Sequence, residues 1–131
     1  MTTRELTQDV KQRSRLTKEE WREYTKTVWQ IPNVVRPGHP AVFPEEIPHR
    51  LIKLFTFVGE TVLDPFAGTG MTATAALKLK RHATCVDCNV EYTEIIRRAT
   101  EPLQCDEARA TIKTGDSRNL EWLDDDSIGL T

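Results

Sequence analysis

Thr61-Val62-Leu63 runs directly into Asp64-Pro65-Phe66-Ala67-Gly68-Thr69-Gly70, and no other stretch limits the fold of this chain as strongly. A short apolar run that ends in a glycine-punctuated turn predicts a strand, a binding turn and the opening of a helix. Gly68 and Gly70 lack Cβ, so the backbone can take positive φ there and let a ligand approach closely, while the helix that follows points amide hydrogens outward. A glycine pair after a strand also occurs where a loop only needs tight packing, so the neighbouring elements decide between the two.

Those neighbours repeat the pattern. Met71-Thr72-Ala73-Thr74-Ala75-Ala76-Leu77-Lys78-Leu79 is rich in small residues that pack closely on a sheet, and Ala83-Thr84-Cys85-Val86 is a second short strand ending on Asp87. An acid at the second strand's tip, about 20 residues past the first turn, is where a nucleotide-binding sheet hydrogen-bonds ribose hydroxyls. Asn89 nearby keeps a plain helix-capping role open for Asp87. A third helix over about 90–99 and a third strand over 110–113 lead to Gly115-Asp116-Ser117, so another acid sits at a strand's carboxyl end. Residues 127–131 read as a fourth strand after the polar turn Asp124-Asp125-Asp126. Alternating strands and helices predict an α/β, Rossmann-like parallel sheet of about four strands with Asp64, Asp87 and Asp116 along one edge.

Upstream, residues 1–16 are polar and basic without apolar periodicity, which predicts a flexible arm; Lys11, Arg13 and Arg15 in it could touch phosphate, but a solvated tail is the simpler reading. Thr17 and Glu20 have capping-box spacing and predict a helix to about residue 27, with Trp21, Tyr24 and Val28 on one face. Three prolines and a glycine make 31–40 an extended connector. Beyond it Pro44 can open a helix to about residue 55, where Ile47, Leu51, Leu54 and Phe55 recur at helical spacing and should pack on the sheet. The organisation predicted is an arm over 1–16 and one partial domain over 17–131.

Composition excludes some classes. At 131 residues and 38% hydrophobic content the chain makes one domain at most, and no apolar run approaches bilayer length. Eighteen basic against 20 acidic residues give −2, so any nucleic-acid surface must be a local patch. The three cysteines fit a reducing compartment and predict the cytoplasm. Cys85 and Cys88 form a CxxC without a second pair or a histidine cluster, which does not make a zinc site.

Taken with His39-Pro40-Ala41-Val42-Phe43-Pro44, Arg50-Leu51-Ile52 and Gly59-Glu60-Thr61-Val62-Leu63, the turn resembles the S-adenosylmethionine-dependent DNA amino-methyltransferases, which methylate the exocyclic amine of cytosine or adenine. The resemblance covers about 21–131, and its specific part is HPAVFP followed by DPFAGTG. It implies that Asp64, Pro65, Phe66, Gly68 and Gly70 line the methionine portion of S-adenosylmethionine and that Thr72 sits near its carboxylate. It implies also that Asp87 holds the ribose, that Asp116 accepts from the adenine amino group, and that His39, Ala41 and Phe43 close the pocket. Trp29 matches a family position too, with packing as its expected role.

Aspartates suit a nucleoside's donors, and backbone amides suit the charged amino-acid end. Family members reach the base by extruding it from the duplex and hold it with Ser, Asp or Asn followed by Pro-Pro-Tyr or Pro-Pro-Phe. No Pro-Pro occurs in this sequence. The expectation is therefore a cofactor-binding part, about half of a methyltransferase sheet, with DNA as substrate, the catalytic motif supplied by a second chain or a downstream region, and either that chain or another copy of this one docked against it. The apolar edge at Ile128 and Leu130 should pair with such a partner. The tail's likeness to serine-type motifs favours cytosine N4 over adenine N6. A methyltransferase of RNA or small molecules and a non-catalytic cofactor-binding chain are the rival readings.

Overall fold

In a computed structural model, described over residues 6–32 and 43–131, strands β1 (Thr61–Asp64), β2 (His82–Asp87) and β3 (Ala110–Thr114) form a parallel sheet in the order β1-β2-β3. Thr61 lies opposite His82 and Ala83 opposite Ala110, so each strand follows its predecessor without a gap in the sheet. The crossovers are helices α4 (Met71–Lys78) and α5 (Val90–Thr100). Parallel strands covered by helices must be apolar on both faces, and β2 meets this with four consecutive buried residues, Ala83 to Val86.

Small side chains bring α4 close to the sheet. Ala73 and Ala76 are wholly buried, and with Ile52, Val62, Cys85 and Ile96 they make the core. Each large aliphatic side chain buried there contributes about 1.5–3 kcal/mol. Asn89 caps α5 by accepting from the Glu91 amide (2.9 Å), which leaves Asp87 free of that task. Buried Arg81 donates to the Thr56 carbonyl (2.8 Å), the Thr56 hydroxyl (3.0 Å) and the Leu79 carbonyl (2.8 Å), so one guanidinium serves two helix ends.

The predicted fourth strand is reduced to a single bridge. Leu130 pairs parallel with Val62, Gly129 N–H donates to the Thr61 carbonyl and Leu63 N–H donates to the Leu130 carbonyl, both at 2.8 Å. This segment therefore flanks β1 on the side away from β2.

Three local expectations change. Residues 8–13, read as part of an arm, form helix α1 (Gln8–Arg13). Thr7 accepts from Val10 N–H (3.2 Å), and the Ser14 hydroxyl accepts from Val58 N–H (2.8 Å) while donating to the Val10 carbonyl (2.6 Å). Helix α2 (Lys18–Tyr24) starts at the Thr17 cap as expected but ends short of residue 27, turns Trp21 (59% exposed) outward and buries only Tyr24, while Val28 lies beyond it and is exposed. Helix α3 (Glu46–Phe55) buries Pro48, Arg50 and Ile52 and packs on α4. Ile47 and Leu51 face a cavity rather than the sheet, and Phe55 is exposed.

Candidate functional site

The glycine turn is pinned from both sides. Phe66 N–H donates to Asp64 Oδ1 (3.1 Å), closing an Asx turn at the end of β1, and Ala67 N–H donates to the Val86 carbonyl (3.0 Å), docking the turn on β2. Gly68 and Gly70 both take positive φ, +54° and +86°. Gly70 is the N-cap of α4 and, having no side chain, caps nothing; no side chain takes its place there. The first amides of α4 thus have no side-chain acceptor at the positive end of the helix dipole, and a carboxylate would suit them.

The three acids step across the strand tips. Asp64 lies opposite Cys85, and Asp87, two residues further on the same face, lies opposite Thr114. Asp87 accepts from Gly68 N–H through Oδ2 and from Asn89 N–H through Oδ1, each at 2.9 Å. It therefore ties the glycine turn to β2, and each oxygen keeps a lone pair for another donor. Asp116 is held by Arg118, whose Nη2 approaches Oδ2 at 2.6 Å and whose backbone N–H donates to Oδ1 at 2.9 Å. This contact holds the Asp116 carboxyl below the usual carboxylate range. Between these acids the Cys85 thiol is pushed up to about 12, by burial first and the neighbouring Asp64 second, so it stays a neutral packing group.

In front of β1 lies a cavity of about 390 Å³, within the size range of small-molecule sites. It brings together Phe43, Asp64, Pro65, Phe66 and Thr72 of the residues expected from sequence. Gly68 and Gly70 form the turn behind it. Asp87 and Asp116 lie outside the cavity at the next two strand tips, and His39 and Ala41 fall outside the described residues. Phe66 is 77% exposed and Phe43 41%, leaving two aromatic faces uncovered at the mouth. Ile47, Pro48, Leu51 and Ile52 of α3, Val62 and Leu63 of β1, and Leu130 and Thr131 complete the wall, and the sequence does not mark them as site residues. The sequence carries a signal for Ile47 and Leu51, since their helical spacing marks an apolar face, but not for which surface that face meets.

Among the described residues no three His, Cys, Asp or Glu side chains are grouped to hold a metal ion, and all three cysteines are free. Trp29 packs as expected, its Nε1 donating to the Tyr24 carbonyl (3.1 Å) with its ring against Arg50.

Comparison with known proteins gives the family. Residues 1–98 match the sequence profile described as DNA methylase of the N6/N4 type. The chain is 44% identical over 89 residues to the type II methyltransferase M.MjaI of Methanocaldococcus jannaschii, a match covering 63% of this chain and 29% of that protein. It is 41% identical over 91 residues to M.BglI of Bacillus subtilis, covering 68% and 26%. A protein of Thermus thermophilus assigned as a DNA modification methylase and solved with S-adenosyl-L-methionine superposes with a TM-score of 0.65 at 32% identity, over 88% of this chain and 44% of that one. The chain thus spans less than a third of the two curated relatives. With the profile matched across most of the sequence, the chain belongs to the N6/N4 family of DNA methylases.

Proposed function

We propose that this chain is the S-adenosylmethionine-binding part of a DNA methyltransferase acting on an exocyclic amine, with cytosine N4 favoured over adenine N6. The observation that carries the reading is the uncapped N-terminus of α4 opening beside an aromatic-mouthed cavity, with Asp87 fixed at the adjoining strand tip. The donor set fits the cofactor. The uncapped amides of α4 and the Thr72 hydroxyl suit the carboxylate of its amino-acid end, and Asp64 suits the ammonium. Phe43 and Phe66 offer ring faces to a sulfonium, which aromatic quadrupoles attract. Asp87 and Asp116 then take the ribose hydroxyls and the adenine amino group along the strand tips, with Arg118 yielding or sharing the Asp116 carboxylate. His39 and Ala41 belong to the same pocket in this reading. When bound, the cofactor supplies an electrophilic methyl group; these residues hold and orient it.

Transfer requires a Pro-Pro-Tyr or Pro-Pro-Phe segment from outside these 131 residues, on a second polypeptide or a continuation of the chain. DNA is the proposed substrate and the cytoplasm the proposed compartment, in keeping with three free thiols. Calorimetry with S-adenosylmethionine tests the binding half, with saturable one-to-one binding expected. Incubation with duplex DNA and a polypeptide carrying the Pro-Pro motif, followed by nucleoside mass spectrometry, tests the rest and reads N4-methylcytosine against N6-methyladenine. Absence of cofactor binding overturns the proposal. Binding without transfer under any such partner favours a non-catalytic cofactor-binding chain.

A further inference from the structure

Arg50 is buried on α3, on the side turned away from the cavity, and touches four groups from three directions. Its Nε donates to Glu46 Oε1 one turn back (3.0 Å), and its Nη1 lies 3.5 Å from Glu23 Oε1 of α2. Its guanidinium carbon stands 5.0 Å from the centroid of the Tyr24 ring and 5.3 Å from that of Trp29. Trp29 and Tyr24 are joined in turn by the Trp29 Nε1 hydrogen bond. One side chain therefore ties together residue 29 and residue 46, the two flanks of the stretch that carries Phe43.

The other faces of α3 give this clasp its consequence. Ile52 enters the core, while Ile47 and Leu51 are walls of the cavity and Phe43 stands at its mouth. A helix gripped from behind by α2 and Trp29 holds those walls in place. Lys53 makes a second link to α2, through Glu20 at 2.8 Å, but it contacts neither ring nor the start of α3. The two links thus separate general attachment of α2 from placement of the cavity wall.

We propose that Arg50 is a positioning residue for the cofactor's amino-acid end: by clasping Tyr24, Trp29, Glu23 and Glu46 it sets the distance of the α3 wall from the β1 turn without touching the ligand. This rests on the assignment of the cavity to the methionine portion and of Asp87 to the ribose. Only the planar, forked guanidinium meets two rings and two carboxylates together, so a lysine keeps the charge but not the arrangement.

The test compares Arg50→Met, Arg50→Lys and Lys53→Met with wild type in thermal melts and in calorimetry with S-adenosylmethionine and with adenosine. Adenosine reads the strand tips alone and S-adenosylmethionine reads tips and cavity together. Both Arg50 variants should lose about tenfold in S-adenosylmethionine affinity, about 1.4 kcal/mol, with adenosine affinity unchanged. Lys53→Met should lower Tm and leave both affinities unchanged. If the Arg50 variants lower Tm but keep the ratio of the two affinities, or if Lys53→Met shifts that ratio equally, Arg50 is merely structural and the inference falls. Should Arg50→Met fail to fold, Arg50→Lys carries the same comparison. If wild type binds neither ligand, the proposed function itself has failed and this inference with it.

Discussion

Gly70→Ala tests the glycine turn most sharply, because two independent costs converge on one atom. Gly70 holds φ at +86°, and a Cβ built there would stand 2.8 Å from Ile96 Cγ1, 3.1 Å from Cγ2 and 3.3 Å from Cβ. The left-handed backbone costs a non-glycine residue about 1–2 kcal/mol. The contact adds about 1–3 kcal/mol, since Ile96 is fully buried and β-branched and cannot swing aside. Alanine recovers about 0.4–1 kcal/mol by restricting the unfolded chain. The net loss is roughly 2–4 kcal/mol, which for a domain of this size lowers Tm by roughly 8–16 °C.

A double-mutant cycle with Ile96→Ala separates the two costs. Ile96→Ala alone opens a core cavity and loses roughly 2–5 kcal/mol. In the double variant the steric cost disappears and the backbone cost stays, so the pair should be more stable than the summed singles by roughly 1–3 kcal/mol. Urea unfolding followed by circular dichroism measures all four proteins. A Gly70→Ala protein melting within about 2 °C of wild type, or a coupling indistinguishable from zero, would refute the reasoning.

Asp87→Ala removes the acceptor for Gly68 and Asn89 amides and the proposed ribose partner, and should weaken S-adenosylmethionine binding at least tenfold by calorimetry; unchanged affinity sinks the ribose assignment. Arg81→Met leaves the carbonyls of Thr56 and Leu79 without their buried donor and should cost about 2–4 kcal/mol in denaturant unfolding, less if relief of the arginine's desolvation dominates. Cys85 titrates in the unfolded chain at its ordinary 9.0 and in the folded one at about 12, so the stability it supports is whole below pH 9 and is lost as pH rises toward 12. Cys85→Ala, compared with wild type over that window, should show a shallower decline; parallel curves would contradict the burial argument.

The elements legible in the sequence are those whose signal is local. The run Thr61-Val62-Leu63 into a glycine turn, the alanine-rich helix after it and the Asn89 cap each determine their own structure, and β1, α4, β2 and α5 follow from them. Helix α1 was not legible because it contains no buried residue; it is held by the Thr7 cap and by Ser14 reaching Val58, 44 positions away. Likewise α3 was assigned the right span and the wrong inner face. Nothing in the spacing marks Arg50 as a residue that Tyr24 and Trp29 surround, and Ile47 and Leu51 read as packing on the sheet until the cavity they line is seen. The turn and acids of the site could be named from spacing, whereas the distribution of those residues between the cavity and the outer strand tips depends on strand register.

The central claim is that one ligand lies along the carboxyl ends of β1, β2 and β3, with its charged end over α4. Titration of the isotopically labelled chain with S-adenosylmethionine, followed through backbone amide resonances, tests it most directly. Saturable shifts should appear at Phe66, Gly68, Gly70, Thr72, Asp87 and Asp116. Shifts confined to the shallow depression around Arg97, Gln104 and Ile112 on the far side of β3, or no shifts at all, would contradict it.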